Sequence, residues 1–133
     1  MFSKVDYVMV NVSEMSRSVA FYRDTLGLAL KFESPGWSEF ETGGTTLALH
    51  AGAPAAASAG VPLAKPAAGT CSLGFSVQNL NSTYAELRER GARFVVPPTE
   101  QPSESIRLAV CIDPDGLAIS FAEPMARAAT APA

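Results

Sequence analysis

Apolar and polar residues alternate loosely over Val5–Val12. Val8, Val10 and Val12 would share one face of a strand, with Tyr7, Met9 and Asn11 on the other. The period then changes. Met15, Val19, Tyr22 and Leu26 recur at helical spacing, with Ser13 or Ser16 as a cap and Gly27 as a left-handed stop. Leu28–Glu33, Trp37–Glu41 and Thr45–His50 read as three strands, separated by turns at Pro35-Gly36 and Gly43-Gly44. Residues 51–69 are almost entirely Ala, Gly and Pro and offer little to bury. They read as a connector over the surface or as a lid above a site.

The same plan follows again. Thr70–Val77 reads as a strand, and Leu80, Tyr84 and Leu87 form a helical stripe with Asn79 or Asn81 as cap and Gly91 as stop. Phe94–Val96 reads as a strand ended by Pro97-Pro98, and residues 99–104 as a polar loop. Ile106–Ile112 is the next strand. Asp113-Pro114-Asp115-Gly116 then supplies turn chemistry ahead of a last strand, Leu117–Phe121. A shift of 72 lays Gly44, Leu47, Ala48 and Leu49 on Gly116, Ile119, Ser120 and Phe121. A shift of 65 lays Val12, Met15, Ala20 and Arg23 on Val77, Leu80, Ala85 and Arg88. The chain therefore reads as one strand–helix–three-strand unit written twice, carried by the order of elements more than by identity. Residues 124–133 read as a frayed tail.

The 133 residues suit one domain with its own core, here residues 1–123, with modules at 4–50 and 70–123. A formal charge of −3 without a Lys/Arg cluster argues against nucleic acid and anionic membranes as partners. No apolar run approaches the ~20 residues of a membrane helix, and the N-terminus lacks the apolar core of a signal peptide. Cys71 and Cys111 lie in strand-like runs without CxxC spacing, which predicts buried free thiols in a cytoplasmic protein.

Asn11-Val12-Ser13-Glu14-Met15, Ala20-Phe21-Tyr22-Arg23-Asp24-Thr25-Leu26-Gly27-Leu28 and Asp113-Pro114-Asp115-Gly116 together resemble the vicinal oxygen chelate superfamily. That superfamily includes glyoxalase I, bleomycin-resistance proteins, fosfomycin-resistance enzymes and extradiol dioxygenases. The resemblance spans about residues 4–123. It implies an α+β fold: two repeated βαβββ modules forming a curled mixed sheet around a cavity, and a homodimer. It also implies four metal-ligand positions, which fall here on Tyr7, Ala48, Ser72 and Ser120. None of these suits a divalent ion: Ala offers no donor, neutral Ser binds weakly, and Tyr must first lose a proton with pKa about 10. No metal and no other cofactor is therefore expected.

If those four positions face the cavity, strand parity adds Met9, Asn11, Thr46 and His50, and Thr70, Gly74, Ser76, Ala118 and Ala122 in the second module. The inner face would then be small and mildly polar, walled by Trp37, Phe40 and Met9. The expected ligand-binding set is Tyr7, Met9, Asn11, Trp37, Ala48, His50, Ser72 and Ser120. His50, the only histidine, has three readings: a hydrogen-bond partner or acid/base for a substrate, a ligand reached by a register slip, or a polar strand end. Arg107 reads as an anchor for an anionic ligand group or as an exposed strand charge. Two functions follow. One is a metal-free module binding a small organic molecule, similar to bleomycin-resistance proteins. The other is a glyoxalase-like or dioxygenase-like enzyme, with an atypical metal site or with His50 or Tyr7 as acid/base.

Overall fold

The computed structural model describes residues 1–53 and 67–125. Most of the expected connector and nearly all of the expected tail lie outside the described residues. The chain divides into two compact units, Met1–Gly60 and Val61–Ala133. Each holds a four-stranded mixed sheet with a helix, so the fold is α+β with the module written twice.

In the first unit the order is β1 (Tyr7–Val12), α1 (Met15–Ala20), β2 (Ala29–Phe32), β3 (Trp37–Glu41) and β4 (Thr46–Ala51). The sheet runs β1-β4-β3-β2, with β1 parallel to β4 and the other pairs antiparallel. Neither expected serine caps α1: Glu14 occupies the N-cap without a side-chain hydrogen bond. Ser13 Oγ instead accepts from Arg17, 3.0 Å away. The helix then widens into a π-helical turn over Phe21–Thr25, where Leu26 N–H reaches back to the Phe21 carbonyl at 3.0 Å. The periodic stripe survives this change, because Val19 and Tyr22 stay fully buried. Gly27 ends the turn at φ 83°, a conformation that costs an L side chain but not glycine.

The second unit repeats the order: β5 (Leu73–Ser76), α2 (Leu80–Glu89), β6 (Arg93–Gln101), β7 (Ile106–Ile112) and β8 (Ala118–Pro124), in the sheet order β5-β8-β7-β6. Here Asn79 does cap the helix, accepting from Ser82 N–H at 3.0 Å. Glu123 on β8 accepts from Leu80 N–H at 2.7 Å, placing a carboxylate on another orphan donor of that helix end. Arg107 belongs to this tie. It donates to Asn81 at 3.0 Å and lies 3.7 Å from Glu123, so it fastens β7 to the start of α2.

Register carries both shifts of the repeat. Val8 pairs with Leu47 where Leu73 pairs with Ile119, and Val10 with Leu49 where Phe75 pairs with Phe121. The bulky members of these pairs lie on the helix-covered faces, as alternation predicts. Val10, Leu47, Leu49 and Phe40 are buried under α1, and Ile119, Phe121, Ala109 and Cys111 under α2 with Leu80 and Leu87.

Three expectations need correction. The strand expected from Thr70 begins only at Leu73, so Ser72 precedes it and Cys71 is exposed, whereas Cys111 is buried. The polar loop expected after Val96 continues β6 to Gln101. Pro97 and Pro98, which donate no ladder hydrogen bond, sit in a register shift between Val96 and Thr99 on this edge strand. Phe40 does not wall the open face. It is fully buried on the helix side, with its ring 6.0 Å from Tyr22.

Candidate functional site

The face of the first sheet turned away from α1 gathers most of the expected site residues. Parallel pairing sets Tyr7 beside Thr46, Met9 beside Ala48 and Asn11 beside His50. Antiparallel pairing adds Trp37 opposite His50 and Glu39 opposite Ala48. Three rows therefore cross the sheet, and the central one reads Met9, Ala48, Glu39. This face is exposed in large part: Tyr7 is 52% and Met9 44% exposed, while Ala48 at its centre is fully buried.

Aromatic edges and hydrogen bonds fix the cluster. The Trp37 ring lies 5.8 Å from Tyr7 at 74° and 6.1 Å from His50 at 70°, both edge-on arrangements that suit aromatic quadrupoles. Trp37 Nε1–H donates to Glu39 Oε2 at 2.8 Å. His50 Nδ1 lies 3.2 Å from Asn11 Oδ1. With that amide oxygen as acceptor, Nδ1 carries the proton and Nε2 is the acceptor of the ring. Gly52 follows β4 closely, and a Cβ built there would stand 3.2 Å from Asn11 Cβ, a tight approach that would press on Asn11. Lys31 reaches the same face from β2, donating to Thr46 Oγ1 at 2.9 Å. Its ammonium lies 3.7 Å from Glu39 and 3.8 Å from Glu41.

Glu39 and Lys31 are absent from the expected set. Glu39 stands two residues from Trp37 on the same strand, so parity along that strand puts both on one face. Lys31 was harder to find, because the register of β2 shifts between Leu30 and Phe32.

Ser72 and Ser120 belong to the second unit. Ser120 lies on β8 opposite Gly74 and Val110, on the face away from α2. Ser72 is exposed and one residue short of β5. That open face carries the expected small residues Gly74, Ser76, Ala118 and Ala122, but β7 adds Leu108 and Val110, so it is more apolar than the mildly polar lining expected. The open face of the first unit is not small, since Tyr7, Met9, Trp37 and Glu39 stand on it. A surface cleft of about 460 Å³ lies elsewhere in the first unit, lined by Met15, Ser16, Glu33, Ser34 and Pro35. It holds no aromatic ring, and we assign nothing to it.

A family model for the Glyoxalase/Bleomycin resistance protein/Dioxygenase superfamily matches residues 4–121. The chain belongs to this superfamily. Solved structures agree on the fold. A glyoxalase/bleomycin resistance protein/dioxygenase from Nocardioides superposes with a TM-score of 0.73 at 24% identity, covering 100% of this chain and 91% of its own. A glyoxalase/dioxygenase from Nostoc punctiforme gives 0.76 at 21% identity, covering 92% of each chain. TnmS3, an antibiotic binding protein from Streptomyces sp. CB03234, gives 0.72 at 26% identity, covering 92% of this chain and 97% of its own. A search of curated proteins finds no match to this chain.

Tyr7, Ala48, Ser72 and Ser120 are the positions at which the sequence resemblance implies metal ligands. This donor set does not fit a divalent cation. Among the described residues, no three His, Cys, Asp or Glu side chains gather where they would hold a metal ion. No helix of the described residues is long and apolar enough to cross a membrane.

Proposed function

We propose that this superfamily member binds a small organic molecule, without a metal, on the open face of its first sheet. The observation that carries the reading is the Tyr7–Trp37–His50 cluster, with Trp37 in contact with both other rings. It comprises three rings held edge to face, with Trp37 fixed by Glu39 and His50 by Asn11. Rigid rings on a sheet lose little entropy when a flat ligand packs against them, and the buried area adds apolar binding energy. Met9 extends the apolar surface, and Asn11 and His50 supply directional polar groups. Ser72 and Ser120, also expected as ligand contacts, stand on the second unit and are not part of this site. The antibiotic-binding relative TnmS3 shows that the same fold serves binding in another protein. The reading includes a cytoplasmic location and a homodimer, and sedimentation of the purified protein tests the dimer.

A second reading is enzymatic, and one observation favours it. Asn11 orients His50 so that Nε2 is an acceptor, the form a general base needs. Turnover of a ligand that binds, lost in His50→Gln while binding persists, would establish it.

The binding reading is tested by titrating a library of flat organic compounds into ¹⁵N-labelled protein. Shifts gathered at Tyr7, Met9, Trp37 and His50 are expected, and a library that moves none of them overturns the site. The metal question has its own test. Chelator-stripped protein is incubated separately with Zn²⁺, Ni²⁺, Mn²⁺ and Fe²⁺, desalted and assayed for bound metal by mass spectrometry. Stoichiometric, saturable metal that His50→Ala abolishes would overturn the metal-free reading.

A further inference from the structure

We infer that Glu39 makes this site selective for charge, and that the ligand carries a cationic group conjugated to a flat ring, such as an amidinium on an arene. The inference rests on the binding reading above and specifies its ligand class.

The open face of the first unit presents three neighbouring charges, of which Glu39 touches Trp37: the carboxylates of Glu39 and Glu41 against the ammonium of Lys31. Two negative charges against one positive leave the face with an excess of one negative charge. Lys31 compensates loosely. Its close hydrogen bond goes to Thr46 at 2.9 Å, whereas Glu39 and Glu41 are 3.7 and 3.8 Å away, beyond good hydrogen-bond length. Glu39 Oε2 accepts one hydrogen bond, from Trp37 Nε1–H. A carboxylate has room for about four, so acceptor capacity remains. The Glu39 side chain is 34% exposed, which leaves it within reach of a ligand while water screens it only in part.

Trp37 is tied to the same carboxylate. Its sole polar hydrogen is engaged, so the indole meets a ligand through its π system rather than as a donor. A hydrogen bond from an indole N–H to an anion also pushes electron density into the ring, in the way linked hydrogen bonds polarise one another. An electron-rich ring beside an under-compensated carboxylate favours a cation over a neutral ring, and a neutral ring over an anion. Glu39 thus acts in two ways: it orients and polarises Trp37, and it supplies charge. Glu39→Gln keeps the orientation, because the amide oxygen can still accept from Nε1–H, and removes the charge together with the polarisation that the charge causes.

The chain has one tryptophan, so its spectrum holds a single indole N–H resonance, and that resonance lies in the site. The experiment titrates benzamidinium, benzamide and benzoate, three probes of one shape and three charges, into ¹⁵N-labelled full-length protein at constant ionic strength. Benzamidinium is expected to bind about tenfold tighter than benzamide, equivalent to about 1.4 kcal/mol, with benzoate weakest. In Glu39→Gln benzamidinium should fall to the level of benzamide measured in the same variant. In Lys31→Met benzamidinium should tighten. Amide spectra of both variants check that the fold is kept. Equal binding of all three probes, or benzamidinium binding that survives Glu39→Gln, overturns the charge inference and leaves the site standing. Failure of all three to move the Trp37 indole overturns both.

Discussion

Two sheets of one chain, built on the same register, present different surfaces on the side away from their helices. Where the first carries Met9 beside Ala48 and Glu39 beyond it, the second carries Gly74, Ser120 and Val110. Where the first sets Asn11, His50 and Trp37 in a row, the second sets Ser76, Ala122 and Leu108. The helix-covered faces do not diverge in this way. Both are filled by Val, Leu, Ile and Phe, because each must exclude water to pay for folding. Burial constrains one side of each sheet, and the other side is where the two modules have been given different chemistry. Rings, a histidine and charges stand on the first, and small and aliphatic side chains on the second.

The comparison is tested first where the modules should behave alike. Phe40→Ala and Phe121→Ala each empty a buried site under a helix, at side chains 0% and 5% exposed. Each should cost about 3–5 kcal/mol in denaturant unfolding. A cost below about 1 kcal/mol in either would show that the two cores are not equivalent. Asp113→Ala, the next largest effect, probes a difference at the turns. Asp113 is 3% exposed, and its Oδ1 accepts from Asp115 and Leu117 N–H at 2.8 and 2.9 Å. Removing that acceptor should cost about 1–3 kcal/mol. The shift of 72 places Glu41 at this point of the first unit, and its side chain is 55% exposed and ion-paired with Lys31 rather than holding the turn, so Glu41→Ala should cost less by the same measurement.

How far the sequence could be read follows the same division. The helix-covered faces were legible because alternation and the helical stripe are direct records of burial: Val10, Leu47, Leu49, Ile119 and Phe121 all lie where parity puts them. The Asp113–Gly116 turn was legible because its residue types are dictated by local geometry. The open faces were only half legible. Tyr7, Met9, Asn11 and His50 followed from parity along β1 and β4, but Glu39 and Phe40 required the parity of β3 to be fixed first. Errors clustered where a strand end or bulge breaks the period, as at Ser72, at Lys31 and along Pro97-Pro98. Such breaks depend on pairing partners distant in sequence, which local pattern does not record.

The two cysteines extend the comparison within the second unit. Burial, with help from the nearby Asp113 charge, pushes the Cys111 thiol from the ordinary 9.0 up to about 12. Cys71 is exposed. An alkylating thiol reagent at pH 8 should therefore modify one site per native chain, at Cys71, and a second only on unfolding. The sign of the alkaline effect follows from linkage. Above about pH 9 the unfolded thiol loses its proton while the native one keeps it, so the unfolded state binds fewer protons. The contribution of Cys111 to stability is full below that pH and is lost as pH rises towards 12. Cys111→Ala should flatten the fall in unfolding midpoint over that window, and an unchanged slope would show that Cys111 does not titrate this way.

The smallest expected change in stability is also the sharpest test of what the open faces are for. The double variant Trp37→Leu/Glu39→Val gives the first sheet the residue types that the second carries at Leu108 and Val110. Trp37 and Glu39 are half-buried and their hydrogen bond is made near water, so the substitutions should move the unfolding free energy by no more than about 1 kcal/mol. Benzamidinium shifts at the amides of Ala48 and His50 should nevertheless disappear. If stability falls by several kcal/mol, the ring cluster is part of the core and the contrast between the two faces is one of packing. If stability holds and the shifts vanish, the first sheet keeps its rings and charges to meet a ligand, since folding has little use for them.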